Sequence, residues 1–279
     1  MRASEAGFHH PLVRAARALH LKKHRQDRRC FLIEGPTAIA AALGAPAVRI
    51  EQIFAAPRPG PSDDIAERAA SAGVQVIAVD ERTLRSLAQT REPQGIVAVA
   101  RFFHHEIADL PIVLAPPDEP CVVAVMHAIA DPGNAGTLLR SAEALGASAI
   151  CCGSGGVDPY NEKVVRASMG ALFHVPLFCY AGWTDFAKAA HAAGLSVVAT
   201  AAGAPDVRSV TIPRRSAVLV GHERRGLSDI PAADVALEVG IPQSQRAESL
   251  NAAVAGSIAL YEIARASGVL PNAARTNDA

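Results

Sequence analysis

Short apolar runs alternate with amphipathic stretches along most of the chain. Leu12, Val13, Ala16 and Leu19 recur at helical spacing, a basic turn follows, and Phe31-Leu32-Ile33 reads as a short buried strand. Glu34-Gly35-Pro36-Thr37 breaks that strand and starts a helix through Leu43, with its proline near the first turn, where the missing N–H is no loss. Residues 48–54 then read as strand, 62–72 as helix, 74–79 as strand, 81–87 as helix and 95–100 as strand. The pattern predicts an α/β unit of about 100 residues.

The stretch Ala115-Pro116-Pro117-Asp118-Glu119-Pro120 interrupts the alternation. Its prolines oppose both helix and central strand, so a linker is expected there. Beyond it the alternation resumes: strands over 121–126, 148–152 and 173–179, with helices over 136–145 and near 161–167. A helix over 184–193 leads to strands over 195–200, 217–220 and 235–239 and a last helix over 249–266. This order predicts a largely parallel sheet covered on both faces, with ligands held beyond the carboxyl ends of the strands. The expected division is a smaller α/β domain over 1–105, a linker over 106–120, a parallel-sheet domain over 121–270 and a small polar tail over 271–279.

Charge refines this picture. The 279 residues balance to zero, yet residues 1–30 carry eight Arg or Lys against Glu5 and Asp27. Attraction for a polyanion is therefore concentrated at the N-terminus, where Lys22, Lys23, Arg25, Arg28 and Arg29 are the candidate phosphate contacts. The alternative is a solvated helix face, and charge alone does not choose between them. The longest apolar runs, 38–43 and 121–126, fall well short of the ~20 residues that a membrane-spanning helix requires. No membrane association is expected, and with no signal-like N-terminus a cytoplasmic location is. Cys30, Cys121, Cys151, Cys152 and Cys179 lack CxxC spacing and read as reduced core thiols, with no metal site.

Three segments at strand ends carry candidate chemistry. The first is Asp131-Pro132-Gly133-Asn134-Ala135-Gly136-Thr137-Leu138-Leu139-Arg140, a glycine-bearing turn running into a helix. Its glycines admit close approach of a ligand, and the first N–H groups of the helix favour an anion such as an RNA phosphate. It is neither a Walker loop nor a GxGxxG fingerprint, which disfavours a nucleotide-binding Rossmann enzyme. The second, Val218-Leu219-Val220-Gly221-His222-Glu223-Arg224-Arg225-Gly226-Leu227, puts a carboxylate just beyond a buried strand. Glu223 either accepts from an amine or orients an arginine, or it is a loop charge paired with Arg224 or Arg225. His222 specifies no chemistry without a positioned partner. The third, Ile241-Pro242-Gln243-Ser244-Gln245-Arg246-Ala247-Glu248-Ser249-Leu250-Asn251, leads into the last helix, where Ser249 and Asn251 stand at the cap and first turn.

In this order and spacing the three segments resemble the signature motifs of the SpoU/TrmH family of RNA 2′-O-ribose methyltransferases in the SPOUT superfamily. The resemblance covers residues 121–266, including Arg166-Ala167-Ser168-Met169-Gly170-Ala171-Leu172-Phe173, which looks like the family's RaSxGaxf stretch. Residues 23–36 look like the start of the ribosomal-protein-like substrate-binding domain that many members carry, which favours RNA as the partner of the basic segment. The resemblance implies a catalytic α/β domain with a deep trefoil knot, S-adenosylmethionine bound in the knot, and a homodimer with its sites at the interface. It assigns Asn134, Arg140, Glu223, Ser249 and Asn251 to the active site, and Gly221, Ile241 and Leu250, with Thr200, to the cofactor cradle. Gln243 and Gln245 depart from the family's usual Ile-Pro-Met-x-Gly, at the place of its Met and Gly.

The activity so implied is a metal-free, in-line transfer of methyl to a ribose 2′-oxygen, with rRNA the expected substrate and tRNA the alternative. A guanidinium with pKa above ~12 is a poor base. Arg140 is instead expected to hold the target phosphate and stabilise the developing alkoxide. The competing reading is a non-catalytic RNA-binding or assembly protein with the same fold, for which Arg140, Glu223 and Asn251 together have no use.

Overall fold

The computed structural model describes residues 4–57, 60–114, 116–244, 246 and 249–270; the expected tail and Gln245 lie outside the described residues. Contacts divide the chain into two compact units, Met1–Phe103 with Asp158–His174, and His104–Val157 with Val175–Ala279.

In the first unit the strands are β1 (Ser4–Glu5), β2 (Cys30–Glu34), β3 (Ile50–Ala55), β4 (Gln75–Ala78) and β5 (Ile96–Arg101). They form one sheet in the order β1-β4-β3-β5-β2, parallel from β1 to β3, with β5 antiparallel to both β3 and β2. The helices are α1 (Pro11–Ala18), α2 (Lys22–Arg28), α3 (Pro36–Gly44), α4 (Pro61–Ser71) and α5 (Glu81–Arg85). Val13, Ala16 and Leu19 bury the apolar stripe of the first helical segment against Leu32, Phe54, Ile77 and Val97. Burying such a stripe is what holds a two-turn helix that would be marginal alone. The basic turn expected after it is the helix α2, stopped by Arg29 at a left-handed φ of 50°.

Residues 158–174, read from sequence as part of the second half, belong to this unit. The reason is aromatic. Tyr160 stacks on Phe102 with ring centroids 4.0 Å apart and lies 4.7 Å from Phe31, and Phe173 packs 5.9 Å from Phe103. Within this segment the helix expected near 161–167 is the short α8 (Glu162–Ala167). With Phe173 committed to that cluster, the strand expected over 173–179 contracts to β9 (Leu177–Tyr180), preceded by a 3₁₀ turn at Ala171–Phe173.

The second unit carries seven parallel strands: β6 (His105–Glu106), β7 (Cys121–Met126), β8 (Ala149–Gly153), β9, β10 (Ser196–Thr200), β11 (Arg215–Val220) and β12 (Leu237–Val239). Their order is β12-β10-β11-β7-β8-β9-β6. All six residues of β7 are buried, as a strand covered on both faces requires. Helices α6 (Leu110–Val113) and α9 (Trp183–Ala192) send Leu110, Phe186 and Ala190 against Val123 and Val125. Helices α7 (Pro132–Ala144) and α10 (Ala252–Ser267) pack on each other and on β7 and β11. Their approach is close enough that a Cβ on Gly256 would lie 2.7 Å from Leu138 and 2.8 Å from Val220. The stretch expected as a linker is part of this unit: β6 extends the sheet beside β9, and Arg215 donates to the Pro116 carbonyl at 2.8 Å. All five cysteines are free thiols.

Candidate active site

The sheet reverses direction at the β7–β11 boundary, because the chain runs outward from β7 through β8 and β9 and then returns to the far side through β10, β11 and β12. Such a switch leaves a crevice beyond the carboxyl ends of the strands. Three segments leave those ends: one from β7 into α7, one after β11, and one from β12 that ends at Asn251.

Each segment fixes one polar side chain. Asp131 caps α7, its Oδ1 accepting the N–H of Asn134 at 2.9 Å, with Pro132 at the first helical position. Asn251 caps α10, its Oδ1 accepting the N–H groups of Ala253 at 2.9 Å and Val254 at 3.2 Å. That leaves the Asn251 amide nitrogen facing away from the helix, and it donates to Oδ1 of Asn134 at 2.8 Å. Asn134 then donates through Nδ2 to Glu223 Oε1 at 3.0 Å. One hydrogen-bonded chain thus ties the three segments together, and each amide orientation is forced by the next.

Glu223 also accepts the N–H groups of Ala130 at 3.3 Å and Asp131 at 3.1 Å. Burial pushes its carboxyl pKa up, but hydrogen bonds from Asn134 and from the backbone of Glu223, Asp131 and Ala130 outweigh that and hold it below its ordinary value. Neither Arg224 nor Arg225 forms an ion pair with it among the described residues; the backbone N–H groups of both go to His222 Nδ1, at 3.0 and 3.5 Å. Glu223 and Asp131 occupy the N–H groups of Ala130, Asp131 and Asn134 at the start of α7. The expectation of an RNA phosphate there is corrected: two carboxylates hold the place.

Thr200, Gly221, Ile241 and Leu250 line one cleft of about 160 Å³, together with Glu223 and Ser249. The floor is apolar, with Val220 and Val239 at the strand ends and Ala255 from α10. Gly221 shapes the wall, since a Cβ on it would lie 2.5 Å from the Gly226 carbonyl oxygen, and His222 and Gly226 exchange backbone hydrogen bonds of 3.1 and 2.9 Å. The Thr200 hydroxyl is spent on the Leu219 carbonyl at 3.0 Å. An apolar slot rimmed by backbone groups suits a flat heteroaromatic ring with a polar edge. Gln243 also lines the cleft.

Two expected site residues stand apart from the hydrogen-bonded chain. Arg140 is exposed and, among the described residues, has no hydrogen-bond or ion-pair partner. Six residues beyond Asn134 on α7, it lies ~9 Å along the axis and about 120° round the helix. Ser249 is exposed, on the cleft and outside α10, whose cap is Asn251. In the first unit Lys22, Lys23, Arg28 and Arg29 are exposed, but Arg25 is only 2% exposed. Its Nε and Nη2 donate to Asp158 Oδ2 at 3.0 and 2.8 Å, and Nη1 to the Leu19 and His20 carbonyls at 2.9 and 3.0 Å. Every face of that guanidinium is committed internally, so Arg25 is corrected from an RNA contact to a structural residue.

Sequence reasoning missed Asp131, although Asp-Pro before a helix is a capping signal. It also missed His127, which bridges Tyr180 Oη at 2.9 Å and Asp229 at 3.0 Å and so braces the segment carrying Glu223. A single histidine after an apolar run gives no spacing from which that could be read.

The model of the SpoU rRNA Methylase family matches residues 121–261, and that of the MRM3-like substrate binding domain matches residues 10–98. The chain is 30% identical to the 23S rRNA (guanosine(2553)-2′-O)-methyltransferase RlmP of Bacillus subtilis, over 90% of this chain and 95% of that protein. It is 29% identical to the 23S rRNA (guanosine-2′-O-)-methyltransferase RlmB of Ralstonia nicotianae, over 86% of this chain and 97% of that protein. Among solved structures, the AdoMet-bound rRNA methyltransferase from Sinorhizobium meliloti superposes with a TM-score of 0.84 at 31% identity, covering 96% of this chain and 99% of that one. The SpoU methyltransferase AviRb from Streptomyces viridochromogenes, in complex with AdoMet, gives 0.78 at 27% identity, covering 91% of this chain and 98% of that one. The chain belongs to the SpoU rRNA methylase family.

Proposed function

We infer that this protein transfers a methyl group from S-adenosylmethionine to a ribose 2′-hydroxyl in RNA, with rRNA as the substrate class. The observation that carries the reading is the junction of Asn134, Glu223 and Asn251 beside the cleft lined by Thr200, Gly221, Ile241 and Leu250. Those four residues hold the cofactor, mainly through backbone groups over an apolar floor. S-adenosylmethionine supplies an electrophilic methyl carbon on a sulfonium, so the transfer calls for no metal.

The chain's own residues do the positioning. Glu223 stays ionised through neutral pH and, with Asn134, locks the turn after β7 to the turn after β11. Ser249 orients the ribose at the cleft. Arg140, free of internal partners among the described residues, binds the target phosphate and stabilises the alkoxide that develops on the 2′-oxygen. Lys22, Lys23, Arg28 and Arg29 supply phosphate contacts from the first unit.

The active form is a homodimer, in the cytoplasm, with the family's knot at the C-terminal part of the second unit. Val254, Ile258 and Tyr261 are 45%, 37% and 47% exposed at helical spacing on α10, an apolar stripe suited to a second copy. No helix of the described residues is long and apolar enough to cross a membrane. Titration calorimetry with S-adenosylmethionine tests the reading. One site per chain is expected; no heat of binding would leave the non-catalytic RNA-binding alternative in its place.

A further inference from the structure

A second pocket, of about 300 Å³, opens in the first unit at the carboxyl end of β2. Glu34, Thr90, Glu92, Gln94, Arg166 and Met169 line it, and it shares no residue with the cofactor cleft. Met169 follows the C-cap of α8 at a left-handed φ of 51°, as helix ends commonly do, and this leaves its large apolar side chain 59% exposed at the pocket. Gly35, at φ 91°, leaves room for the Gln94 carboxamide, whose Oε1 would lie 2.9 Å from a Cβ placed there. The Arg166 to Gly170 stretch, prominent in the sequence, takes no part in the hydrogen-bonded chain of the second unit; Arg166 and Met169 face this pocket instead.

Charge narrows the ligand. Glu34 and Glu92 against Arg166 leave the pocket with a net negative charge, which disfavours a phosphate. Glu34 is already occupied: it accepts the N–H of Gln89 at 3.0 Å and the hydroxyl of Thr90, and Arg166 Nη1 stands 4.0 Å away. Glu92 is exposed and has no partner among the described residues. Arg166 is 42% exposed and, among the described residues, that 4.0 Å contact through Nη1 is its one ion pair, which leaves most of its planar donors open. The Glu92 carboxylate and the open edge of the Arg166 guanidinium offer acceptors and donors on one pocket. Guanine matches both: its N1–H and 2-amino group donate, and its O6 and N7 accept the two N–H groups of an arginine fork. Unpaired bases are where proteins read RNA sequence, and the exposed Met169 supplies an apolar surface for the ring face.

We propose that this pocket holds one unpaired guanine of the substrate RNA, read by Glu92 and Arg166. The proposal rests on the reading of the substrate as RNA. The test uses the full chain and fluorescein-labelled single-stranded heptamers, UUUGUUU against UUUUUUU, followed by anisotropy at fixed salt. The guanine heptamer binds about tenfold tighter or more. Glu92→Ala and Arg166→Ala each bring the two affinities together, while affinity for the uridine heptamer stays within about twofold. Equal affinity for both heptamers in the unmutated protein, or a guanine preference that survives both substitutions, overturns the proposal. Glu92 is a surface residue, so its substitution gives a folded protein even if Arg166→Ala does not. Calorimetry with S-adenosylmethionine on the same samples separates the two readings: lost guanine preference with intact cofactor binding in the variants supports the pocket independently of methyl transfer.

Discussion

Asn134→Ala removes the middle link of the chain that joins the three active-site segments. Two hydrogen bonds go with it, the 3.0 Å donation to Glu223 and the 2.8 Å acceptance from Asn251. The first is charge-assisted and, with the Glu223 side chain still 23% exposed, is taken at the low end of its class, ~1.5 kcal/mol. The second joins two neutral amides at a partly wet site and adds ~0.5 kcal/mol. Together they make about 2 kcal/mol, so the organised site is populated some ~30-fold less, and the transfer rate falls by about that factor. Single-turnover methylation of rRNA with tritiated S-adenosylmethionine measures it. Because the cleft itself is untouched, cofactor affinity by calorimetry changes little. Glu223 loses a hydrogen bond that lowers its pKa, so the acid limb of the rate profile moves to higher pH. A variant within threefold of the unmutated rate, with its acid limb unmoved, would show that the junction does not organise the site.

Arg140→Lys keeps the charge but loses the planar fork, and the account expects a fall in rate of about 100-fold with cofactor affinity nearly intact, measured by the same two assays. Arg25→Ala strands Asp158, whose side chain is 10% exposed, and destabilises the protein by about 3–5 kcal/mol in urea unfolding. Lys23→Ala, on the exposed face of the same helix, leaves stability within ~0.5 kcal/mol and lowers the salt dependence of RNA binding by about one counterion. His20 has its pKa raised, first by its 2.7 Å hydrogen bond to buried Glu162 and against the effect of burial. A raised folded pKa means this contribution is complete below the unfolded value of about 6.5 and fades as pH rises through the folded value. Urea midpoints measured across that range fall on the alkaline side, and His20→Gln flattens the fall.

Much of the fold was legible because strands covered on both faces must be apolar throughout: residues 121–126 read as strand and are one. Where the reading slipped, the cause lay in distant residues or in local capping. The glycines point to a helix from residue 136, but the Asp131 side chain caps α7 four residues earlier, at Pro132. Phe173 reads as the start of a strand, but it answers to aromatic partners at Phe31 and Phe103, far away in sequence. The burial of Arg25 depends on Asp158, 133 positions along, which no charge count can reveal. At the site, the family resemblance singled out Asn134, Arg140, Glu223, Ser249 and Asn251, and the structure brings Asn134, Glu223 and Asn251 into one hydrogen-bonded chain while Arg140 and Ser249 stand outside it. It could not indicate that Glu223 takes backbone N–H groups in preference to an arginine, nor that Arg140 stands on another face of α7.

The product expected of this protein carries its new methyl group on a ribose 2′-oxygen of RNA. The direct measurement incubates the protein with rRNA and S-adenosylmethionine carrying a labelled methyl, digests the RNA to nucleosides and locates the label by mass spectrometry. Label is expected on the ribose of one nucleoside type, confined to one position when the RNA is mapped. Label on a base, or no transfer by a protein that binds both the cofactor and the RNA, would contradict it.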